Sequence, residues 1–491
     1  MKLRELLRDV QVNESRADLD AEITSVTADS RLVVPGALFV AIPGFKTDGA
    51  KFIDGAIRKG AAAIAGESSA ASVQVDDARA ALSIIAANFY GRPADKLSLV
   101  GVTGTSGKTT TTKMVESIFD AAGEPVGLIG TIEYRAGDER LMADRTTPDA
   151  VVLQQWFAKM VDAGVRHAVM EVSSHALALK RTYGIHFAAA VFTNLSQDHF
   201  DFHKDFEDYF AAKRILFDQI NRSRKTAIVN IDDEYGRRLA NELGDCVITF
   251  GRGPNADIHP LDGFEISVRG LNGRVTTPAG EVRVESRLLG APNLYNWLGA
   301  IGAALSVGID IPTIEAGIRN LGAVRGRFEY VESETGPTVI VDYAHKPDAL
   351  EKLLQAVRDL AKGRRVVLIV GCGGDRDKDK RPKMGAIAAR LADCTILTSD
   401  NPRGEKPEAI LDDIEAGMRG ADNYTRITDR REAIRRAIAE AGDDDVIVIA
   451  GKGHEPYQVI GDQVIHFDDR EEAERALETR TEKTTSKSAS N

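Results

Sequence analysis

An apolar hexapeptide that runs into a glycine-rich turn and then into a helical segment constrains the fold of this chain most. The hexapeptide is LSLVGV at 97–102, the turn is TGTSG at 103–107, and KTTTTKMVESIFDAAG follows. A buried strand, a turn and a helix in direct succession are typical of a parallel α/β sheet. Further apolar segments alternate with helical periods at 167–172, 188–194 and 226–231, which predicts βαβ units.

The length of the chain predicts several domains. At 491 residues, and at roughly 150 residues per domain, we expect three. They are assigned to 1–95, 96–324 and 325–480, with a polar linker, GRPADK, at 91–96. All three are α/β. The second has a central, mainly parallel sheet of the P-loop ATPase type, the third is Rossmann-like, and the polar tail at 481–491 is expected to be disordered.

Charge and cysteine content exclude several classes of protein. The net charge of -11 makes nucleic acid or an anionic membrane an unsuitable general partner. Cys246, Cys372 and Cys394 show no C-x-x-C spacing, so neither a disulfide framework nor a zinc cage is expected. The N-terminal MKLRELLRDV lacks the apolar core of a signal peptide, and no apolar run approaches the roughly 18 residues of a membrane span. We therefore expect a cytoplasmic protein. We also expect it to be a monomer.

The glycine-rich turn is a candidate phosphate-binding loop. Glycines let backbone N–H groups approach phosphate oxygens at a helix N-terminus. Lys108 would contact the β- and γ-phosphates, and Thr109 would coordinate Mg²⁺. Val102 occupies a position where the strict pattern has glycine, and such turns can be purely structural. The predicted ATP contacts are Gly104, Thr105, Ser106, Gly107, Lys108, Thr109 and Thr110.

Two predicted strands end in side chains that could bind a second Mg²⁺. Glu171 ends the strand at 167–172, and His199 follows the strand at 188–194. Ligands of open α/β sheets gather at carboxyl strand ends. The alternatives are a solvated glutamate and ordinary loop histidines, or a zinc pair of His199 and His203. Strand-end placement alone leaves these interpretations open.

Lys213 lies on an apolar helix stripe. It is spaced by seven, three and four residues from Phe206, Phe210 and Phe217. These spacings place Lys213 on the same helix face as the three phenylalanines. Such a lysine either extends its ammonium to solvent or has a reason to be buried. Spacing favours the first interpretation.

Four segments in this order closely resemble the Mur ligase family. They are GTSGKTT, EVSSHALALKR, FTNLSQDHFDFH and YFAAKRILF, and the resemblance covers about residues 25–470. It implies three domains that bind a UDP-sugar, ATP and an amino acid. It also implies catalytic roles for Lys108, His199 and Lys213, with Lys213 carbamylated. Metal ligands would be Thr109, Glu171, His199 and the carbamate.

The resemblance also implies substrate contacts. Asn293 and Asn296 are similar to asparagines near the adenine. TADSR and GFKTDG resemble the uridine-diphosphate site of tripeptide-forming members, and TTPD a muramoyl-peptide contact. The residues that correspond to these contacts are Ser30, Phe45, Lys46, Thr47, Thr146, Thr147, Ser173 and Arg181.

Loops of the third predicted domain carry side chains suited to a zwitterion. A guanidinium pairs with a carboxylate, and a carboxylate pairs with an ammonium. Each loop could also be a plain surface turn. The D-N-P-R segment is similar to that of members that use meso-2,6-diaminopimelate, and lysine-adding members lack this arginine. The predicted contacts are Arg376, Asp400, Asn401, Pro402, Arg403, Gly451 and Glu455.

The resemblance thus implies an ATP- and Mg²⁺-dependent ligase for peptidoglycan precursors. It would join meso-2,6-diaminopimelate to UDP-N-acetylmuramoyl-L-alanyl-D-glutamate through an acyl phosphate. Alternatives are a sibling that adds L-lysine, a folylpolyglutamate synthase, and, from another class, a P-loop switch that hydrolyses nucleotide without the other substrates.

Overall fold

The computed structural model describes residues 1–44, 47–221, 223–224, 226–331 and 336–488, with side chains up to residue 481. Contacts divide the chain into two compact units. The first comprises Met1–Pro260, Val275–Val282 and Tyr295–Gly317, and the second comprises Leu261–Arg274, Arg283–Leu294 and Ile318–Asn491. The domains predicted at 1–95 and 96–324 thus lie mainly in the first unit, and the one predicted at 325–480 lies in the second.

The first unit begins with a small α/β layer. Its sheet has the order β1-β5-β4-β3-β2 and is parallel except for β1. The strands are β1 (Val12–Ser15), β2 (Ser25–Thr27), β3 (Ala37–Ala41), β4 (Ala63–Gly66) and β5 (Val73–Val75). The helices are α1 (Leu3–Leu6), α2 (Ile53–Arg58) and α3 (Ala78–Phe89).

A larger sheet follows, with the order β13-β12-β11-β6-β10-β7-β8-β9. It is parallel from β13 to β7, and a hairpin adds the antiparallel edge β8-β9. The strands are β6 (Ser98–Thr103), β7 (Val126–Ile129), β8 (Glu133–Ala136), β9 (Glu139–Met142), β10 (His167–Glu171), β11 (Ala189–Phe192), β12 (Ala227–Asn230) and β13 (Val247–Phe250). The helices are α4 (Lys108–Ala121), α5 (Ala150–Asp162), α6 (Ser174–Ala178), α7 (Phe206–Arg214) and α8 (Glu234–Leu243).

The strand order of this sheet determines which loops meet. β6 lies between β10 and β11, with Glu171 in register with Val102 and Phe192 in register with Thr103. Because the three strands are parallel, the segments that follow them emerge at the same sheet edge. The phosphate loop, Glu171 and the segment before His199 are thereby brought together.

Short antiparallel strands and two helices follow this sheet along the chain. β16 pairs with β14, β15 and β17. The bounds are β14 (His259–Pro260), β15 (Glu265–Ser267), β16 (Gly270–Thr277), β17 (Gly280–Ser286), α9 (Gly290–Ser306) and α10 (Ile311–Asn320).

The second unit contains a further sheet, of order β18-β19-β23-β20-β21-β22, which is parallel except for β18, and a hairpin of β24 and β25. The strands are β18 (Glu329–Val331), β19 (Thr338–Asp342), β20 (Val366–Val370), β21 (Cys394–Leu397), β22 (Tyr424–Arg426), β23 (Val446–Ala450), β24 (Tyr457–Ile460) and β25 (Gln463–His466). The helices are α11 (Pro347–Ala361), α12 (Lys380–Leu391), α13 (Pro407–Glu415), α14 (Arg430–Glu440) and α15 (Asp469–Ser488).

The α/β class and the mainly parallel sheets are confirmed. Each apolar segment predicted as a strand forms one, as β6, β10, β11 and β12. Of the strands in the second unit, β20 and β23 are buried along their whole length, as strands covered on both faces must be. The helix α15 continues to Ser488, into the segment predicted to be a disordered tail. Residues 489–491 lie outside the described part of the chain. No helix in the described ranges is both long enough and apolar enough to cross a membrane.

Candidate active site

The glycines of the phosphate loop have backbone conformations that other residues rarely adopt. Gly104 has φ of +146° and Gly107 has φ of +85°. A Cβ on Gly104 would collide with Thr193 Oγ1, and one on Gly107 would lie 2.5 Å from Asn296 Oδ1. Both glycines are therefore required for positive φ and for close approach.

The segment after β11 supports this loop from one side. Asn194 Oδ1 accepts the Ser106 N–H at 3.0 Å, and the Asn194 carbonyl accepts the Thr105 N–H at 2.9 Å. Thr193 Oγ1 donates to the Ser106 carbonyl at 2.6 Å. The loop is thus held in its conformation by the neighbouring strand end.

Lys108 folds back over the phosphate loop. Its Nζ donates to the carbonyls of Gly104 at 3.0 Å and Thr105 at 2.9 Å. The ammonium therefore lies against the backbone of the glycine-rich loop, at the start of α4. Thr110, which was predicted to contact ATP, is buried in the first turn of α4.

Glu171 is a buried carboxylate next to Thr109. Its side chain is 1% exposed. Oε2 accepts hydrogen bonds from the hydroxyls of Thr109 and Thr131, each at 3.0 Å, and Oε1 accepts the Thr131 N–H at 2.7 Å. Within the described residues, these hydrogen bonds all come from uncharged donors. A buried carboxylate beside a threonine hydroxyl offers the oxygen donors that Mg²⁺ prefers.

Lys213 is buried, so the interpretation of an exposed ammonium is wrong. The side chain of Lys213 is 1% exposed. Its Nζ donates to the Gly104 carbonyl at 2.8 Å and lies 4.3 Å from the centre of the Tyr209 ring. Burial, and then the nearby charge of Lys108, lowers the pKa of Lys213 well below its usual value. The amine is therefore directed at the phosphate loop and has an increased neutral fraction.

Aromatic and histidine side chains surround this lysine. Tyr209, which sequence reasoning did not identify, places its hydroxyl 3.2 Å from Thr105 Oγ1. His199 has φ of +57°, and its ring packs edge-on against His175, with centroids 4.8 Å apart. The buried His203 bonds Ser174 Oγ through Nε2 at 2.9 Å. In the described residues, no three His, Cys, Asp or Glu side chains are grouped to hold a metal by themselves.

One cavity of about 330 Å³ joins the phosphate loop to predicted substrate contacts. Arg181 donates to the Thr147 carbonyl at 2.7 Å, and Thr147 Oγ1 donates to the Glu171 carbonyl at 2.8 Å. Thr146 Oγ1 lies 3.0 Å from Thr131 Oγ1. The cavity is lined by Lys108, Arg145, Thr146, Thr147, Ser173, Ser174, His175, Arg181, His199, Tyr209 and Lys213.

Other predicted contacts are distributed more widely. Asn296, buried in α9, accepts the Thr111 hydroxyl at 3.3 Å, and Asn293 donates to the Leu289 carbonyl at 2.8 Å within the second unit. In the N-terminal layer, the Ser30 carbonyl accepts Lys59 Nζ at 2.7 Å.

Of the residues predicted in GFKTDG, Thr47 lies in an exposed bend. Phe45 and Lys46 lie outside the described residues.

In the second unit, a second group of predicted residues converges. Asn401 is 2% exposed and donates to Glu455 Oε2 at 2.9 Å. Arg403 Nη1 donates to the Gly374 carbonyl at 3.0 Å. Lys452, which was not predicted as a site residue, is fully buried and donates to Asn401 Oδ1 at 3.1 Å. Its place in the G-K-G-H-E segment was the available signal.

The remaining predicted residues complete these loops. Asp400 is buried, and a Cβ on Gly451 would lie 2.8 Å from its Oδ2, so the loop after β23 packs closely on the loop after β21. Pro402 is buried between Asn401 and Arg403. Arg376 is exposed and donates to the neighbouring Asp375 carbonyl at 3.3 Å. The loops that carry Asp400, Arg403 and Glu455 thus contact one another.

Comparison with known proteins identifies the family. Three family models match: the Mur ligase family catalytic domain at residues 22–90, the Mur ligase middle domain at 102–304, and the Mur ligase glutamate ligase domain at 326–453. The UDP-N-acetylmuramoyl-L-alanyl-D-glutamate--2,6-diaminopimelate ligase of Gloeobacter violaceus is 48% identical over 488 residues, which cover 98% of this chain and 99% of the relative. The ligase 1 of that name from Clostridium acetobutylicum is 45% identical over 479 residues, covering 96% and 98%.

Solved structures of other proteins are also similar to this chain. A UDP-N-acetylmuramoyl-L-alanyl-D-glutamate--2,6-diaminopimelate ligase superposes with a TM-score of 0.71 at 30% identity, covering 98% of this chain and 99% of the other. A folylpolyglutamate synthase from Mycobacterium tuberculosis, solved with ADP and AMPPCP, shares the fold with a TM-score of 0.59 at 20% identity, over 74% and 91% of the chains. With close relatives of nearly equal length and family models along most of its residues, this chain belongs to the Mur ligase family.

Proposed function

We propose that this protein is the ATP-dependent ligase that adds meso-2,6-diaminopimelate to UDP-N-acetylmuramoyl-L-alanyl-D-glutamate. The observation that carries the proposal is the cavity lined by Lys108, Lys213, Thr147 and Arg181, which joins a phosphate loop to groups able to hold an anionic acceptor. The names of relatives that match nearly the whole chain supply the identity of the substrates. We expect a monomer that acts in the cytoplasm.

ATP would bind with its phosphates on the loop from Gly104 to Thr110. The backbone N–H groups and the N-terminus of α4 favour negative charge there, and Lys108 adds a cation. Asn293 and Asn296 are the proposed adenine contacts. Solved structures of the same fold with ADP or AMPPCP support the use of adenine nucleotide by proteins of this shape.

The residues present fit magnesium. Thr109 and Glu171 offer oxygen donors at one strand end, and His199 and a carbamylated Lys213 are the proposed ligands of a second ion. When bound, magnesium would supply neutralising charge to the phosphates and to the acyl oxygen.

Carbamylation gives a reason for a buried lysine in this cavity. Carbon dioxide reacts with a neutral amine, and the lowered pKa of Lys213 increases the neutral fraction. The carbamate is an anion with two oxygens, and it would replace an unfavourable buried cation by a metal ligand. We propose this modification for Lys213.

The reaction would begin when the D-glutamyl side-chain carboxylate attacks the γ-phosphorus of ATP, releasing ADP and forming an acyl phosphate. Lys108 offsets the charge that develops on the transferred group, and Arg181 and Thr147 hold the acceptor. The amine of diaminopimelate then attacks the acyl carbon. The tetrahedral intermediate collapses to the amide and inorganic phosphate.

The second unit would supply the amino acid. Arg403 is proposed to pair with a carboxylate of diaminopimelate, and Glu455 with an ammonium. An L-lysine substrate would leave Arg403 without that carboxylate, which is the physical basis for rejecting it.

Release of ADP, measured with each of the three substrates omitted in turn, tests the proposal. A ligase of this kind releases ADP at full rate only when ATP, the UDP-muramoyl dipeptide and diaminopimelate are all present. Rapid ADP release from ATP alone would instead indicate a P-loop switch or simple ATPase. Equal turnover with L-lysine would indicate the lysine-adding sibling.

A further inference from the structure

A buried arginine, Arg381, joins two loops of the second unit. These loops carry the proposed selectivity residues, and Arg381 lies outside both of them. We call residues 371–377 and 400–405 the selectivity loops. We propose that Arg381, acting through Glu405, is a positioning residue that determines amino acid selectivity by clamping these loops together. The inference rests on the proposed function, since it assumes that the loops bind the incoming amino acid.

Arg381 lies in the first turn of α12, and its side chain is fully buried. Its guanidinium makes a two-pronged pair with Glu405, with Nη1 3.0 Å from Oε2 and Nη2 2.9 Å from Oε1. Nη1 also donates to Asp413 Oδ2 at 2.8 Å, and Nη2 donates to the Gly373 carbonyl at 3.2 Å. One guanidinium thus contacts both selectivity loops and α13. This hydrogen-bonded pairing holds the pKa of Glu405 well below its usual range.

Glu405 extends the connection back to the first loop. Its Oε1 accepts the Asp375 N–H at 2.6 Å. In return, Asp375 Oδ2 accepts the Gly404 N–H at 2.9 Å, and the Asn401 carbonyl accepts the Gly374 N–H at 2.9 Å. The loops therefore exchange hydrogen bonds in both directions along their length.

The clamp holds two residues in a backbone conformation that they would otherwise avoid. Asp375 has φ of +53° and Arg403 has φ of +51°, both in the left-handed region. Such conformations persist in residues other than glycine where the surrounding structure imposes them. Arg403 is the proposed selector, and Gly404 and Glu405 follow it directly, so a loosened clamp would let its backbone relax.

The close fit between the loops makes the position of Arg403 sensitive to their separation. A Cβ on Gly373 would lie 2.8 Å from Arg403 Nη1, and one on Gly374 would collide with the Pro402 carbonyl. Arg403 Nη1 is itself fixed by the Gly374 carbonyl. A small displacement of one loop would therefore move the guanidinium away from the substrate carboxylate, and misplacements of this size have large effects on rate.

The test compares Arg381→Lys and Glu405→Gln with wild-type enzyme. Lysine keeps the charge but loses the two-pronged geometry, and glutamine keeps the shape but loses the charge. For each protein, kcat and KM are measured for diaminopimelate and for L-lysine, with KM for ATP as a second readout. We expect the ratio of kcat/KM for diaminopimelate to that for lysine to fall about 10- to 100-fold, through KM for diaminopimelate, with KM for ATP unchanged.

Arg358→Lys is the matched control. Arg358 also bonds a carbonyl and a carboxylate, those of Leu391 and Asp393, but Asp393 precedes β21, at the amino end of that strand. The Arg358→Lys variant should keep the wild-type ratio of kcat/KM for diaminopimelate to that for L-lysine.

A wild-type enzyme that forms no amide with diaminopimelate would refute the proposed function itself. The alternative outcome is that the wild type discriminates between diaminopimelate and L-lysine while the Arg381 and Glu405 variants keep the same ratio of kcat/KM for the two amino acids. If these variants then only lower the melting temperature, the clamp is purely structural and the inference is wrong.

Discussion

At the scale of single residues, two lysine side chains lie against the phosphate loop. Lys108 and Lys213 both donate to the Gly104 carbonyl, from the loop itself and from α7. Burial, with the nearby charge of Lys108 as a second cause, lowers the pKa of Lys213. Bound phosphates, or a carbamate on Lys213, would offset this charge.

Lys108→Ala should lower kcat by about 10²- to 10³-fold, the usual effect of removing one group that stabilises transition-state charge. Because the side chain contributes hydrogen bonds to loop carbonyls and not to a core, the melting temperature should change little. Release of ADP and thermal unfolding are the measurements. Lys113→Ala is the control, since Lys113 lies on the same helix but pairs with Glu116 and Glu133. Near-normal turnover of Lys108→Ala would refute the nucleotide assignment.

Lys213→Ala should be inactive, and formate or acetate should partly restore its activity by replacing the missing anion. The physical reason is that a small carboxylate fits the space of a lost carbamate and can bind the same cation. The measurement is ADP release against carboxylate concentration, with wild-type enzyme as the control that should not respond. Full activity of the variant without additive would show that Lys213 has no catalytic role.

At the scale of elements, loops at carboxyl strand ends carry the proposed site residues. β6, β10 and β11 deliver the phosphate loop, Glu171 and Asn194 to one sheet edge. In the second unit, the segments after β20, β21 and β23 do the same for the selectivity loops and Glu455. In both units, the carboxyl ends of parallel strands lie at the same edge of the sheet, so the segments that follow them meet there.

Gly104→Ala should abolish nucleotide binding, since the new Cβ would collide with Thr193 and the backbone has φ of +146°. Gly123→Ala is the control: it also has positive φ, of +77°, but apart from its own residue and chain neighbours no atom of the described residues would lie within 4 Å of the new Cβ. It should cost about 1 kcal/mol of stability and leave binding unchanged. Calorimetric titration with ADP distinguishes the two. Normal ADP binding by Gly104→Ala would show that close packing of the loop is dispensable.

Arg403→Ala should weaken the use of diaminopimelate by about 2 to 5 kcal/mol in kcat/KM, as expected when one partner of a buried charge pair is removed. The use of L-lysine should change little, because lysine has no distal carboxylate. Lys406→Ala, an exposed neighbour, is the control. An unchanged ratio of kcat/KM for the two amino acids in Arg403→Ala would remove Arg403 as the selector.

At the scale of the whole molecule, acidification should destabilise the second unit. Burial lowers the pKa of both His345 and His454 to about 4, from 6.5. Between these values the unfolded chain binds more protons than the folded one, so stability falls as pH falls from about 6.5 towards 4. Each histidine should contribute about 1–2 kcal/mol of this loss by pH 5.

Urea unfolding between pH 7.5 and 5 measures this loss. His454→Gln should flatten the dependence, whereas His466→Gln should not, since His466 pairs with Glu471 and its pKa is raised. Parallel pH profiles for wild type and His454→Gln would contradict the prediction.

Local patterns in the sequence were sufficient for the α/β class, for the apolar strands and for the glycine-rich turn between β6 and α4. Apolar runs bounded by turns are typical of buried parallel strands, and glycine before a helix start is typical of a tight turn. Residue spacing, however, gave the wrong interpretation of Lys213. The edge hairpin β8-β9 was also not predicted, because its strands are short, and β9 is exposed at every residue.

The tertiary structure alone decided which residues distant in sequence contact one another. The burial of Lys213 depends on a carbonyl that is 109 positions away in the chain, and the surroundings of Glu171 depend on Thr109 and Thr131, which lie in other segments. Tyr209, Lys452 and Arg381 were overlooked for the same reason: a tyrosine, a lysine or an arginine acquires its role from partners distant in sequence. Sequence determines local conformation through short-range sterics and burial patterns, whereas the fields and contacts that define a site are set only when strand order brings distant segments together.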